Sequence, residues 1–128
     1  MPRFVILYHQ SQAGDHWDVM LEADSALTTW SIPVLCPSGA SFACPATALP
    51  PHRKHYLDYE GDIAGNRGTV TRVDTGTYEQ LSPEIFILHG THFTGKLTLE
   101  GNTMTFVSDA VLPTKAGMEQ RAMTESLG

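Results

Sequence analysis

The stretch Asp15-His16-Trp17-Asp18-Val19-Met20-Leu21-Glu22 guides the interpretation of the whole chain. Polar and apolar residues alternate along most of it, which is typical of a β-strand that buries one face. The side chains predicted to face the core are Trp17, Val19 and Leu21. The opposite face would carry His16, Asp18, Met20 and Glu22. An imidazole and a carboxylate side by side can bind a divalent metal, although such a pair is also common as a hydrogen-bonded surface pair.

The preceding residues predict a hairpin that brings a second histidine to this face. Residues 3–9, Arg-Phe-Val-Ile-Leu-Tyr-His, are rich in β-branched and aromatic residues and predict a largely buried strand. Residues 10–14 have the composition of a turn, so the strand at 15–22 should return antiparallel to the first. We therefore expect His9 to lie near His16 at one end of the sheet.

The remaining sequence predicts an all-β fold with little helix. Segments with strand composition are separated by Gly, Pro, Asn and Asp turn signals, and they lie at 27–34, 69–74, 77–81, 84–88, 93–99 and 103–107. Together with the first two strands they make about eight, whereas residues 35–51 are predicted to form a loop. We expect a single domain over residues 1–113 and a tail, residues 114–128, that is a short helix or disordered.

The composition excludes several classes of protein. The 128 residues are 41% hydrophobic and 17% charged, as in a folded globular protein, and no apolar run is long enough to span a bilayer. A net charge of −6 argues against a broad nucleic-acid-binding surface, which needs many basic residues. It does not exclude an enzyme that acts on one phosphate at a time. We expect a cytoplasmic protein without membrane association, with Cys36 and Cys44 as free thiols.

Several groups of residues match the pattern of a known family in order and spacing. They are Tyr8-His9, the 15–22 strand, Ala26-Leu27-Thr28-Thr29-Trp30-Ser31-Ile32-Pro33, His55-Tyr56-Leu57-Asp58-Tyr59-Glu60-Gly61, Gly68-Thr69-Val70, Asp74-Thr75-Gly76-Thr77-Tyr78 and Gly95-Lys96-Leu97. Through them the chain resembles the 3′-phosphoesterase domain of bacterial DNA ligase D, which also occurs as small free-standing proteins. The resemblance covers about residues 3–99, and the order of the groups is more specific than any one of them.

The resemblance implies a small closed antiparallel β-barrel with a polar metal-binding crater. It implies a manganese-dependent activity in DNA end healing, which removes 3′-phosphates and 3′-terminal ribonucleotides, with Zn²⁺ and Co²⁺ as alternative metals. The metal ligands that it implies are His9, Asp18 and His55. His16 and Tyr59 would contact the scissile phosphate, with Asp58 supporting them. The implied partners are nucleic-acid 3′ ends and a separate DNA ligase or other end-joining proteins.

One departure from the family pattern affects the phosphate site. The family has an arginine two residues after the metal-binding aspartate, and this chain has Met20 there. Methionine cannot make the forked contacts to phosphate oxygens that a guanidinium makes. Arg53 and Arg67 are the candidates to replace it. His52 has no counterpart in the family pattern, and we expect it to be structural or exposed.

Three functions remain open from the sequence. The leading one is the phosphoesterase activity. The second is a catalytically impaired homologue that keeps the metal and binds nucleic acid or a partner protein, which Met20 and the acidic charge favour. The third is a non-haem iron oxygenase, because His16, Asp18 and a distant histidine also fit a site of two histidines and one carboxylate. The chain is short for that class, so this function ranks last.

Overall fold

The computed structural model describes residues 1–109. The regular structure consists of ten strands and one 3-10 helix, Lys54–Leu57. The strands are β1 (Arg3–Gln10), β2 (His16–Glu22), β3 (Leu27–Ile32), β4 (Phe42–Pro45), β5 (Thr47–His52), β6 (Gly61–Asp62), β7 (Thr69–Ser82), β8 (Ile85–Gly90), β9 (Thr94–Glu100) and β10 (Thr103–Ser108). The prediction of an all-β protein with little helix is confirmed. No helix in this part of the chain is long and apolar enough to cross a membrane. The predicted tail, residues 114–128, lies outside the described residues.

All ten strands belong to one antiparallel sheet. Its order is β4-β10-β9-β8-β7-β1-β2-β3-β5, and the two-residue β6 pairs with β7. Within residues 1–109 the edge strands β4 and β5 do not pair with each other, so the sheet is open and the predicted closed barrel is wrong. The reason is the short connection between the two edge strands. Only Ala46 separates β4 from β5, so the connection is too short to fold one edge strand back against the other as a hairpin.

Two local predictions also differ from the structure. The region predicted as a loop, 35–51, contains β4 and most of β5. The two short strands predicted on either side of a turn at 74–76 are one long strand, β7, which continues through Gly76. A Cβ at Gly76 would lie 2.1 Å from the carbonyl oxygen of His89 on β8. The glycine that suggested a turn therefore permits the close approach of two paired strands.

The sheet buries apolar side chains on both faces. From β1 and β2, the larger core includes the side chains of Phe4, Ile6, Val19 and Leu21. The smaller core lies on the opposite face of the same strands and contains Val5, Leu7, Met20, Leu27, Leu57 and Val70. The predicted assignment of alternate side chains to two faces of the 15–22 strand is therefore confirmed, but the prediction that only one face is buried is wrong, since Asp18 and Met20 are buried as well. Because Leu57 belongs to the 3-10 helix, the segment that carries this helix covers the face on which His16 and Asp18 lie.

A buried carboxylate fixes the turn between β8 and β9. Asp74 is 3% exposed, and it accepts hydrogen bonds from the backbone N–H groups of Thr91, His92 and Phe93 at 3.0, 3.0 and 2.7 Å. Gly90 completes the arrangement, because a Cβ there would lie 2.3 Å from Asp74 Oδ2. Asp74, which belongs to the family pattern found in the sequence, therefore has a structural role.

Candidate metal centre

The β1–β2 hairpin places two histidines and one aspartate on the same side of the sheet. His9 and His16 are cross-strand partners, and Asp18 follows two residues later on the same face of β2. His9 Nδ1 lies 3.2 Å from His16 Nε2. Asp18 Oδ1 lies 3.0 Å from His16 Nε2, and Asp18 Oδ2 lies 3.6 Å from His9 Nδ1. The hairpin therefore brings His9 next to His16, as its turn composition predicted.

The Asp18 carboxylate is buried without a full set of hydrogen-bond donors. The residue is 3% exposed. Although Oδ1 lies close to His16 Nε2, it accepts no hydrogen bond of normal geometry from the described residues. Burial raises the pKa of Asp18, and positive charge on the nearby histidines acts against that rise. A buried carboxylate oxygen without a donor is destabilising unless a cation or another ligand satisfies it.

The three side chains fit a divalent metal ion. Their ligand atoms all lie within 4.8 Å of one another. Donors bound to one ion at about 2.1 Å are separated by about 3.0–3.4 Å. The separations observed between these atoms run from 3.0 to 3.6 Å. Two imidazoles and one carboxylate suit Mn²⁺, Zn²⁺, Fe²⁺ or Co²⁺, and such a set leaves coordination positions for water and a phosphate oxygen.

A backbone carbonyl group orients the first of these ligands. His9 Nε2 lies 2.7 Å from the carbonyl oxygen of Arg67. This oxygen can only accept, so Nε2 carries the proton and Nδ1 presents its lone pair to the site. The loop reaches His9 because residue 68 is glycine. Gly68 has φ +98°, and a Cβ there would lie 1.9 Å from the carbonyl oxygen of Gln10.

A cleft of about 310 Å³ is lined by His9 and Asp18, two of the three candidate ligands. The apolar part of its lining consists of Met20, Pro50, Pro51, Tyr56, Ile63 and Val70. The basic part consists of His52, Arg53 and Arg67. Both arginines that could replace the family arginine therefore share one cleft with Met20. Basic groups beside a metal centre create a site suited to a phosphate.

Three other predicted site residues do not line the cleft in the described part of the chain. They are His55, Asp58 and Tyr59. His55 lies within the 3-10 helix Lys54–Leu57, which follows directly after Arg53. The His55 ring is exposed, and it packs on Tyr56 and Tyr59 with centroids 4.1 and 5.4 Å away.

Tyr59 and Asp58 hold the segment that contains the 3-10 helix in place. The Tyr59 hydroxyl donates a hydrogen bond to the carbonyl oxygen of Asp62. Asp58 pairs with Arg3 at 2.7 Å. Arg3 begins β1 and lies six residues, or about 20 Å, from His9 along the strand. Asp58 therefore fastens the helical segment to the opposite end of β1 from the metal ligands.

Sequence reasoning missed two parts of the site. His52 was expected to be structural or exposed, but it is half-buried and lines the cleft. Its only signal in the sequence was its place directly after two prolines. Gly68 belonged to the recognised pattern, but its role in bringing a carbonyl oxygen to His9 depends on a contact between distant segments.

The fold and the site together define an all-β protein with a candidate divalent-metal centre of two histidines and one aspartate. The sequence pattern of the DNA Ligase D 3′-phosphoesterase domain matches residues 8–108, and the chain belongs to this family. The resemblance found in the sequence is therefore confirmed.

Two mycobacterial proteins contain a similar segment. They are the multifunctional non-homologous end joining DNA repair protein LigD of Mycobacterium tuberculosis (strain H37Rv) and the multifunctional non-homologous end joining protein LigD of Mycobacterium bovis. Each is 30% identical over 107 residues, a match that covers 75% of this chain. The match covers 14% of each relative, so the chain corresponds to a small part of these larger proteins.

Proposed function

We propose that this protein is a metal-dependent phosphoesterase that heals nucleic-acid 3′ ends by removing a 3′-phosphate or a 3′-terminal ribonucleotide. The observation that carries the proposal is the buried Asp18 carboxylate, which has one oxygen without a hydrogen bond and lies with two imidazoles beside a basic cleft. Membership of the DNA ligase D 3′-phosphoesterase domain family supports this chemistry.

His9, His16 and Asp18 would hold the metal, with His16 in the place that the sequence assigned to His55. We propose Mn²⁺, and the same donors suit Zn²⁺ and Co²⁺. When bound, the ion supplies positive charge that polarises a phosphoryl group and lowers the pKa of a bound water. The chain contributes a rigid strand pair and a fixed His9 tautomer, so its donors need little rearrangement to bind the ion.

Arg53 and Arg67 would bind phosphate oxygens in place of the arginine missing at Met20. Arg67 is anchored at the cleft, because its Nε donates to the carbonyl oxygen of Ala64 at 2.7 Å. A guanidinium has five N–H donors, so this anchor leaves donor capacity for a phosphate.

Asp58 and Tyr59 would act as positioning residues. Each fastens the segment between β5 and β7 through a contact of its own, to Arg3 and to the carbonyl group of Asp62 respectively. Arg53 begins this segment, so its place at the cleft depends on how the segment packs.

The proposed substrates are DNA or RNA strands with blocked 3′ ends. Because the relatives are named for non-homologous end joining, we propose that a separate DNA ligase or another end-joining protein acts on the healed end.

A second function is favoured by the apolar floor of the cleft. Met20 is 1% exposed and stands where the family arginine is expected. A protein that keeps the metal but not the phosphate clamp would bind nucleic acid or a partner without turnover. The oxygenase function has the same ligand composition but gains no support from the family.

A primer-template that ends in a 3′-phosphate, and one that ends in a single ribonucleotide, test these functions directly. We expect conversion to a 3′-OH end with Mn²⁺ and none with EDTA. Asp18→Asn should abolish conversion, whereas Asp24→Asn, at an exposed aspartate after β2, should not. Stoichiometric Mn²⁺ binding without conversion would favour the binding function. Iron-dependent consumption of oxygen would favour the oxygenase.

A further inference from the structure

We infer that the apolar side of the cleft binds a nucleobase, with Tyr56 as its stacking surface. The base is that of the nucleoside whose 3′ oxygen carries the phosphate. The inference rests on the proposed phosphoesterase function and adds a binding site next to the phosphate site. Both proposed substrates, a 3′-phosphate end and a 3′-ribonucleotide end, contain this base. Only one sugar separates it from the phosphate, so a single cleft can hold both groups.

The cleft has an apolar side as well as a basic side. Its apolar lining comes from β2, β5, the 3-10 helix, the residue after β6, and β7, and consists of Met20, Pro50, Pro51, Tyr56, Ile63 and Val70. Tyr56 and Ile63 pack on the smaller core of the sheet. A cavity of about 310 Å³ with apolar and aromatic walls and a few charged groups is typical of a site for a small organic ligand.

The two sides of the cleft together match a nucleotide better than a bare phosphate. Arg53 and Arg67 attract an anion, whereas an anion against the apolar side would lose its hydration without gaining a donor. A nucleotide joins a charged phosphate to a base with flat, weakly polar faces. Met20 is 1% exposed and stands where the family arginine is expected, so this part of the cleft is apolar in this chain.

Tyr56 differs from the other three tyrosines of the chain. The hydroxyl groups of Tyr8, Tyr59 and Tyr78 each donate a hydrogen bond to another residue of the protein. Within residues 1–109 the Tyr56 hydroxyl makes no such bond, and this half-buried residue lines the cleft. An aromatic side chain with a free polar end and part of its surface in a cleft is well suited to contact a ligand.

Neighbouring rings hold the Tyr56 ring in place. The His55 ring lies against it with a centroid separation of 4.1 Å and an interplanar angle of 38°. The rings of His52 and Tyr59 meet it edge to face, each with a centroid separation of 5.9 Å. A base that stacks on this cluster therefore immobilises few further side chains. Stacking on an aromatic ring is favourable for every base, because each base has a π face.

Two phosphonate ligands test the inference on the Mn²⁺-loaded protein by isothermal titration calorimetry. One is 3′-deoxyadenosine with a phosphonomethyl group on C3′, whose C–P bond is not hydrolysed, and the other has hydrogen in place of the adenine. We expect the wild type to bind the adenine ligand about tenfold more tightly, as for one base stacked on an aromatic ring.

Three variants locate this preference. Tyr56→Leu keeps the apolar bulk but removes the ring, so the ratio of the two affinities should fall to about two or less. Tyr56→Phe keeps the ring and should keep the ratio. The matched control is Tyr8→Leu, at a half-buried tyrosine that does not line the cleft, and it should also keep the ratio. The ligand without a base should bind all four proteins alike.

Equal affinities of the wild type for the two ligands would overturn the inference, as would a ratio that Tyr56→Leu leaves unchanged or that Tyr8→Leu lowers as much. An equal loss of affinity for both ligands in Tyr56→Leu would also overturn it, since Tyr56 would then only support its segment. If the wild type converts 3′-phosphate ends but binds the two ligands equally, the inference fails and the proposed function stands. If the wild type binds neither ligand and converts no ends, both fail.

Discussion

Asp18 and Asp74 are the two buried aspartates of residues 1–109, each 3% exposed, and their surroundings are opposite. Asp74 accepts three backbone N–H hydrogen bonds. Asp18 faces two imidazoles and has one oxygen without a donor. A satisfied buried carboxylate stabilises the fold, whereas an unsatisfied one is destabilising until a cation binds. Equal burial therefore does not mean equal function, and the hydrogen-bond partners distinguish the structural acid Asp74 from the candidate metal ligand Asp18.

The largest effect is expected from Asp74→Ala. Three backbone N–H groups would lose their buried acceptor, so the free energy of unfolding should fall by about 3–5 kcal/mol, measured by urea denaturation. The Mn²⁺ affinity of the folded protein should stay unchanged. Asp24→Ala, at an exposed position, is the control and should have little effect on stability. A loss below about 1 kcal/mol for Asp74→Ala would contradict the structural role.

Asp18→Asn should have the opposite effect, with a loss of Mn²⁺ affinity and no loss of stability. The asparagine keeps the shape but removes the charge, so we expect Mn²⁺ affinity to fall by about 100-fold or more, measured by electron paramagnetic resonance. Added Mn²⁺ should raise the melting temperature of the wild type far more than that of the variant.

The stability of the metal-free Asp18→Asn variant sharpens the comparison with Asp74. Burial raises the pKa of Asp18 in the folded state, so its ionised form opposes folding above that pKa. This penalty decreases once the pH falls below the folded-state pKa and is absent below the unfolded-state pKa. At neutral pH the variant should be at least as stable as the wild type. A loss of stability like that of Asp74→Ala would show that the two carboxylates play the same role.

A smaller effect is expected from Gly68→Ala. The added Cβ would collide with the carbonyl oxygen of Gln10 and move the Arg67 carbonyl away from His9, so Mn²⁺ affinity should fall about tenfold. Gly14→Ala is the matched control, since Gly14 also has a positive φ, of +124°, but a Cβ there meets nothing within 4 Å. Similar Mn²⁺ affinities in the two variants would refute the orienting role of this loop.

The smallest effect is expected from Asp58→Ala. The hydrogen bond from Arg3 lowers the pKa of Asp58, so its contribution to stability is present above the unfolded-state pKa and is lost as the pH falls through the folded-state pKa. Both side chains are exposed, at 40% and 73%, so the contribution should be small and weaker in high salt. Thermal unfolding at neutral and acid pH measures it. A marked loss of Mn²⁺ affinity would show that the segment supports the metal ligands directly.

Much of the fold could be predicted because its strands carry local signals. Alternation along residues 15–22 assigned each side chain to a face, and the turn composition of residues 10–14 placed His9 beside His16. The edge strands β4 and β5 were harder to predict, since their residues include prolines and alanines, which are poor strand formers. Their strand conformation comes from pairing with β10 and β3, which are distant in sequence.

The candidate site was predictable to the same extent. His9 and Asp18 lie on a hairpin, where register follows from a short turn and holds their separation. His55 lies in a segment without periodicity, and no local rule indicated that the chain would form a 3-10 helix there. The family pattern identified this segment, but it could not show which of its histidines reaches the cleft.

The sequence by itself determined the all-β class and the family, and it placed His9 near His16 and Asp18, because strand alternation and a short turn act over a few residues. The tertiary structure decided that His55 lies outside this cluster, that the edge strands of the described residues stay unpaired with each other, and that His52 lines the cleft. Each of these depends on contacts between segments that are far apart in the chain. Such contacts form only when distant segments pack together in the folded chain, which no local pattern specifies.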